Sequence, residues 1–244
     1  MADKIAVYAG TRNIYEQMYT SLKSLLLNTK MDKVFLLIED DEFPYPLPEN
    51  VQPINVSEQP WFPENGANTR QRYTYMALLK VVLGEIFTDT DKILWLDCDT
   101  IIDADISDLF EVDLTGYYYA GVMEPGKSKD IFRYINVGVL LCNLDSLRRM
   151  AKEAEMVTFL NHYQFGWPEQ DCINLLCQGR IRLIDSTYNA NGYTAVCLRP
   201  KILHYAAVKD YEDHWAYRKY HDIDLFNGED AYDAEDEEDE DNKE

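Results

Sequence analysis

The chain has 244 residues, with 44 Asp and Glu against 23 Lys and Arg and a formal net charge of −21. That length suits one ordinary domain with or without a small appendage, and 46% hydrophobic residues exclude a wholly disordered chain. Residues 229–244 hold 11 acids and one Lys, a net of −10, leaving −11 on residues 1–228; a body of that sign repels phosphate backbones, so nucleic acid is excluded as a main partner.

Residues 4–9 (KIAVYA) form a short apolar run that stops at Gly10, as a buried first strand would. Ile14, Met18, Leu22, Leu25 and Leu26 recur at helical spacing, and the amphipathic helix they predict ends near Asn28. Residues 34–38 (VFLLI) read as a second buried strand. Six of the nine prolines fall between positions 43 and 63, so that stretch is a loop whose strands, if any, lie at an edge. Met76, Leu79, Leu83 and Ile86 mark a second helix, and residues 93–96 (ILWL) a third strand. This alternation with continuous apolar strands predicts an α/β fold, a mainly parallel sheet covered on both faces. The second half is less regular. Strands are expected at 117–123, 134–142 and 180–184, with a helix from 144 to about 159 and another after Pro168. Ile202 and Leu203 lead into a last short strand, followed by an aromatic, charged segment at 211–226. The expected organisation is one domain over 1–228 and a disordered acidic tail over 229–244.

No run approaches the roughly 18 apolar residues needed to cross a bilayer, and the opening MADKIAVYAGTRN lacks a basic region and a cleavage site. Five cysteines form no CxxC pair, and an odd count argues against a disulfide framework. Cys98 and Cys142 lie in apolar runs and read as buried free thiols. A reduced, soluble, cytoplasmic protein is the expectation.

The strongest chemical signal is Asp97-Cys98-Asp99, directly after ILWL. Side chains two apart on extended backbone point the same way, here beyond the carboxyl end of a buried strand, where open α/β sheets bind ligands. Two carboxylates this close repel each other unless a positive charge lies between them, and a divalent cation is the usual solution. Spacing alone fits equally well a pair of turn and capping residues ahead of residues 106–110. His204 ends the run Ile202-Leu203 and can bring an imidazole to the same cation, a ligand set that suits manganese better than magnesium, although both are possible. No apolar run delivers His162, His214 or His221 to that place, and they read as surface or packing residues.

DKILWLDCDTIIDADISDLF, INVGVLLCNLDSLRRM, EQDCINLL and ILHYAAVK, in that order, resemble the successive motifs of the family-8 glycosyltransferases, GT-A-fold enzymes related to glycogenin and to bacterial galactosyl- and glucosyltransferases. The resemblance runs from about Ile5 to Lys209. It implies a GT-A fold, with a Rossmann-like mixed sheet in a single domain, and retaining transfer of a hexose, glucose or galactose, from a UDP-linked donor. The acceptor, a sugar, lipid-linked sugar or protein, is not legible, nor is the oligomeric state. By that resemblance Asp97, Asp99 and His204 bind Mn²⁺ (or Mg²⁺). Ala9, Thr11, Tyr15, Lys80, Cys98, Glu124, Asn136 and Lys209 bind the nucleotide sugar, and Gln170 and Asp171 are the catalytic pair. Lys80 stands by offset where bacterial relatives carry Arg, Lys209 resembles the lysine after the metal-binding His, and Glu124 stands where relatives often have Asp. Asn136, in the turn-like INVG, resembles the Asn of the motif FN(A/S)G. Gln170 and Asp171 match the end of a DQD motif whose first residue is here Glu169. Without the family, Lys80 and Lys209 read as solvated lysines, Asn136 as a turn residue, and Gln170 and Asp171 as the polar start of a helix. Thr11 replaces an Asp that contacts uracil in relatives, and HYAAVKDY lacks the family's Gly and its KPW ending. These departures motivate the alternative of a catalytically inactive module that binds a nucleotide sugar or glycan. The 18 tyrosines, Tyr232 in the tail among them, raise self-glycosylation as a sub-case.

Overall fold

The computed structural model describes residues 3–69, 74–128 and 132–225. The tail at 229–244, Tyr232 and the last residue of the aromatic segment lie outside them.

The apolar runs become strands, joined in the first half by helices. β1 (Ile5–Ala9), β2 (Lys33–Ile38), the edge strand β3 (Val51–Asn55) and β4 (Lys92–Leu96) form the parallel half of a seven-stranded sheet, with α1 (Tyr15–Asn28) connecting β1 to β2. Pro53 is tolerated in β3 because that strand is an edge. β5 (Thr100–Ile102), β6 (Tyr119–Met123), β7 (Ile135–Asn143), β8 (Ile181–Ile184) and β9 (Ile202–His204) follow. The sheet order is β3-β2-β1-β4-β7-β6-β8, with β7 antiparallel to β4 and β6 and the other pairings parallel. The fold is therefore α/β, with a mixed, mainly parallel sheet.

Alternate residues of each central strand enter opposite cores. Ile93, Trp95, Leu140 and Cys142 pack on one face, and Leu94, Leu96, Val139 and Leu141 on the other. This is why those strands are apolar throughout rather than alternating. α1 covers the second face with Met18, Leu22 and Leu25.

Several expectations need correction. The second helix is broken into α2 (Tyr75–Leu78), a 3-10 turn at Leu79–Val81 and α3 (Leu83–Ile86). The break falls at the β-branched pair Val81-Val82 just before Gly84, residues of low helix propensity, and it turns Lys80 inward. The helix expected from 144 is two, α4 (Leu144–Arg149) and α5 (Lys152–His162), separated at Ala151, whose φ of 49° leaves the helical region. Asn136 is in β7, not in a turn. Asp97 to Asp99 form a turn rather than extended backbone, with Thr100 N–H donating to Asp97 C=O at 3.2 Å. β5 was not expected at all; it pairs antiparallel with β9 and sets Thr100 opposite His204. α6 (Pro168–Leu176) starts at Pro168, as read, and α7 (Trp215–His221) closes the described chain.

Candidate functional site

β4 ends at Leu96, and the next three residues turn beyond the carboxyl end of the sheet. The turn is anchored by Asp97 N–H, which donates to Gly138 C=O of β7 at 2.7 Å, and by Tyr205 N–H, which donates to Asp99 C=O at 2.9 Å. The two-stranded β5–β9 sheet brings the imidazole in. His204 Nε2 lies 3.2 Å from Asp99 Oδ1 and 3.8 Å from Asp97 Oδ2. One ligand atom from each of Asp97, Asp99 and His204 lies within 4.8 Å of the others. The ring fits because Gly138 has no side chain: a Cβ there would stand 2.1 Å from His204 Cε1.

Electrostatics agree with a cation site. Burial pulls the His204 imidazole down, but the charges of Asp99 and Asp97 outweigh it and leave the ring above its usual value. Burial pushes Asp97 up, yet Lys80 and His204 hold it below the usual carboxylate range. The two carboxylates that raise the proton affinity of the ring face its Nε2, and a divalent ion would take the place of the proton there. Two carboxylate oxygens and an imidazole nitrogen fit such an ion.

Lys80 is buried at 2% exposure, which overturns its reading as a solvated lysine. Its Nζ reaches Asp97 Oδ1 at 3.1 Å and Glu169 Oε1 at 3.4 Å, 5.0 Å above the Trp95 ring. Burial opposes its charge, but the two carboxylates more than restore it, so Lys80 stays protonated. Glu169, pushed up by burial, leaves Oε2 without a hydrogen-bond partner among the described residues.

Two cavities meet at Asp97, Asp99 and Glu169. The first, about 440 Å³, takes in Ala9, Thr11, Lys80 and Cys98 from the expected donor set, together with Gln17 and Tyr211. The second, about 270 Å³, takes in Glu124, Asn136, Gln170 and His204, with Trp167 and Tyr193 half-exposed on its lining. Glu124 Oε1 accepts from Asn136 Nδ2 at 2.8 Å and from Gln170 Nε2 at 3.3 Å, while Gln170 Oε1 accepts the Val137 N–H at 3.2 Å.

Three expected residues stand apart. Tyr15 is behind the first cavity, where its hydroxyl donates to Asp40 at 3.0 Å. Asp171 lines neither cavity; it accepts from the Tyr134 hydroxyl and caps α6 through the Trp167 N–H. Lys209 is exposed and lines neither, because Ala207 and Asp210, both at positive φ, turn its loop. The five cysteines are free, with Cys98 and Cys142 buried as expected. Sequence reasoning missed Asn189, which holds the far side of His204: in STYNANGY it reads as one more loop asparagine. Gly138 was legible only as the last letter of INVG.

Residues 4–212 match Glycosyl transferase family 8, and the chain belongs to that family. It is similar to a putative glycosyltransferase of Haemophilus influenzae, 25% identical over 120 residues covering 44% of this chain and 36% of the relative. It is also similar to glycosyltransferase GlyE of Streptococcus pneumoniae, 25% identical over 198 residues covering 76% of this chain and 47% of the relative. The chain thus spans less than half the length of either of these curated relatives. The GlyE crystal structure superposes with a TM-score of 0.70 at 19% identity, covering 92% of this chain and 61% of that one. That of galactosyltransferase LgtC, in complex with donor and acceptor sugar analogs, gives 0.67 at 20% identity, covering 89% and 95%. These likenesses establish the GT-A fold. Among the described residues no helix is long and apolar enough to cross a membrane.

Proposed function

We propose that this family-8 domain is a retaining hexosyltransferase. It takes glucose or galactose from a UDP-linked donor and passes it to an acceptor hydroxyl, with Mn²⁺ held by Asp97, Asp99 and His204. The observation that carries this reading is the convergence of those three side chains where the two cavities meet. The nucleotide occupies the first cavity and the hexose the second.

A cation at that junction supplies Lewis acidity to a departing diphosphate. Lys80 adds a fixed positive charge on the nucleotide side, locked by Asp97 and Glu169. Glu124 and Asn136, both buried, offer the polar groups that orient hexose hydroxyls. The Gln170 carbonyl keeps one lone pair beyond its bond to Val137, enough to stabilise a developing oxocarbenium ion. Retaining hydrolases set a carboxylate nucleophile beside the anomeric carbon. Here Glu124 is engaged by Asn136, Gln170 and Lys127, and Asp97 by Lys80 and Trp95. We therefore favour front-face substitution through an ion-paired state, in which a leaving phosphate oxygen takes the acceptor proton. Asp171 acts from behind by fixing α6.

Incubation with UDP-glucose or UDP-galactose and Mn²⁺ should release free hexose slowly, and Asp99→Ala should abolish it. Nucleotide-sugar binding without Mn²⁺-dependent release would leave an inactive binding module instead. No binding of either donor by calorimetry in the presence of Mn²⁺ would overturn the proposed hexosyltransferase.

A further inference from the structure

His204 turns Nε2 to the two aspartates and Nδ1 inward, 2.8 Å from Asn189 Oδ1. A ring nitrogen that holds a cation carries no proton, so the proton must sit on Nδ1 and needs an acceptor. An amide can offer either its oxygen or its nitrogen, and which end faces the ring decides the tautomer. Here groups of fixed polarity decide it. The Gly138 N–H can only donate, and it donates to Asn136 Oδ1 at 3.0 Å; the Glu124 carboxylate accepts from Asn136 Nδ2 at 2.8 Å. With Asn136 so oriented, its Oδ1 also accepts from Asn189 Nδ2 at 2.9 Å. Asn189 Oδ1 is thereby left facing His204. Asn191 Nδ2 donates to the same oxygen at 2.8 Å and lies farther from Nδ1, at 3.4 Å, so Asn189 Oδ1 is the nearer partner of that nitrogen.

We propose that Asn189 is a positioning residue that holds His204 as the Nδ1–H tautomer and so leaves Nε2 bare for the cation. The inference rests on the assignment of Asp97, Asp99 and His204 as cation ligands. Asn189 is wholly buried, and the relay from Glu124 through Asn136 ties the same orientation to the hexose side of the site.

Three measurements test it. In protein labelled with ¹⁵N-histidine, with His204 assigned from its loss in His204→Gln, long-range proton–nitrogen correlation above the ring's titration should place the proton on Nδ1. Mn²⁺ affinity, read from the free-ion paramagnetic resonance signal, should fall about 10- to 100-fold in Asn189→Ala. Asn189→Asp keeps an acceptor for Nδ1–H but loses the donor to Asn136 Oδ1, so it should bind Mn²⁺ more tightly than the Ala variant without reaching the parent. A proton on Nε2 in the parent overturns the proposal, as does an Ala variant that binds Mn²⁺ like the parent or an Asp variant as weak as the Ala variant. Should Asn189→Ala fail to fold, the parent's tautomer and the Asp variant decide. A parent that does not bind Mn²⁺ defeats the cation assignment, while the tautomer still judges Asn189.

Discussion

Glu153, in the first turn of α5, is 2% exposed and faces the segment that carries Lys80. One carboxyl oxygen accepts the Gly84 N–H at 2.6 Å, and the other has no hydrogen-bond partner. Burial, only partly offset by that bond, pushes its pKa up to about 7 from an ordinary 4.5. Because the folded-state value is raised, the associated stability is complete below 4.5 and is lost as pH rises through 7. Two and a half pH units correspond to about 3 kcal/mol, of which about 2 kcal/mol falls between pH 5.5 and pH 8, clear of the isoelectric region near 4.5. Glu153→Gln cannot ionise. Urea unfolding of parent and variant across that range should therefore give a stability difference that moves by about 2 kcal/mol in the variant's favour toward high pH. Groups that titrate in both proteins cancel, as does any fixed cost of the new amide. Parallel stability curves would refute the reasoning, since they would mean that Glu153 reaches water or a cation in solution.

Gly138→Ala should displace His204, because the added methyl would meet the ring at 2.1 Å; Mn²⁺ affinity by calorimetry should fall while circular dichroism stays unchanged, and parental affinity would show that the ring has room to move. Lys80→Met leaves Asp97 and Glu169 facing each other without their cation, and should lower metal-free stability by about 3–5 kcal/mol in urea. Manganese should recover part of that loss. Chelator treatment should weaken UDP binding by at least about a hundredfold, since a pair of unit charges 4 Å apart is worth about 4 kcal/mol at an effective dielectric near 20; undiminished affinity by calorimetry would contradict the charge argument.

Much of the frame was legible because each face of the sheet is fully covered. Strands buried on both sides read as near-continuous apolar runs: β4 is ILWL after Lys92, and β7 is broken only by Asn136 before its Asn143 end. The candidate metal-ligand trio was legible for the same reason: strands deliver side chains to a common edge, and Asp97 and His204 each stand at the end of one. Lys80 was harder. Its buried role depends on a helix that breaks, and the apolar spacing of Met76, Leu79, Leu83 and Ile86 gives no sign of the break. Lys209 was placed by position in a motif, and two left-handed residues carry it away. Asn189 was invisible because the partners that matter to the site are outside its own loop, 53 residues away at Asn136 and 15 at His204.

The net charge acquires a different meaning once the cavities are described. Acidity on the whole body argued only against nucleic acid. Among the described residues the lining of the first cavity is acidic, with Asp97, Asp99, Glu169 and Glu212 against Lys80. Lys80 is already matched by two of those carboxylates, so little positive charge remains for a diphosphate. A binding site of that sign repels its proposed ligand unless a cation enters with it, and the place where a cation reverses the local field is the trio at the junction. His204 is part of that reversal: as an imidazolium it would compete with the cation, and as a neutral ring with Nε2 bare it completes the ligand set. Asn189 thus stands at the point where hydrogen-bond polarity inside the fold is converted into charge selection at the cavity surface.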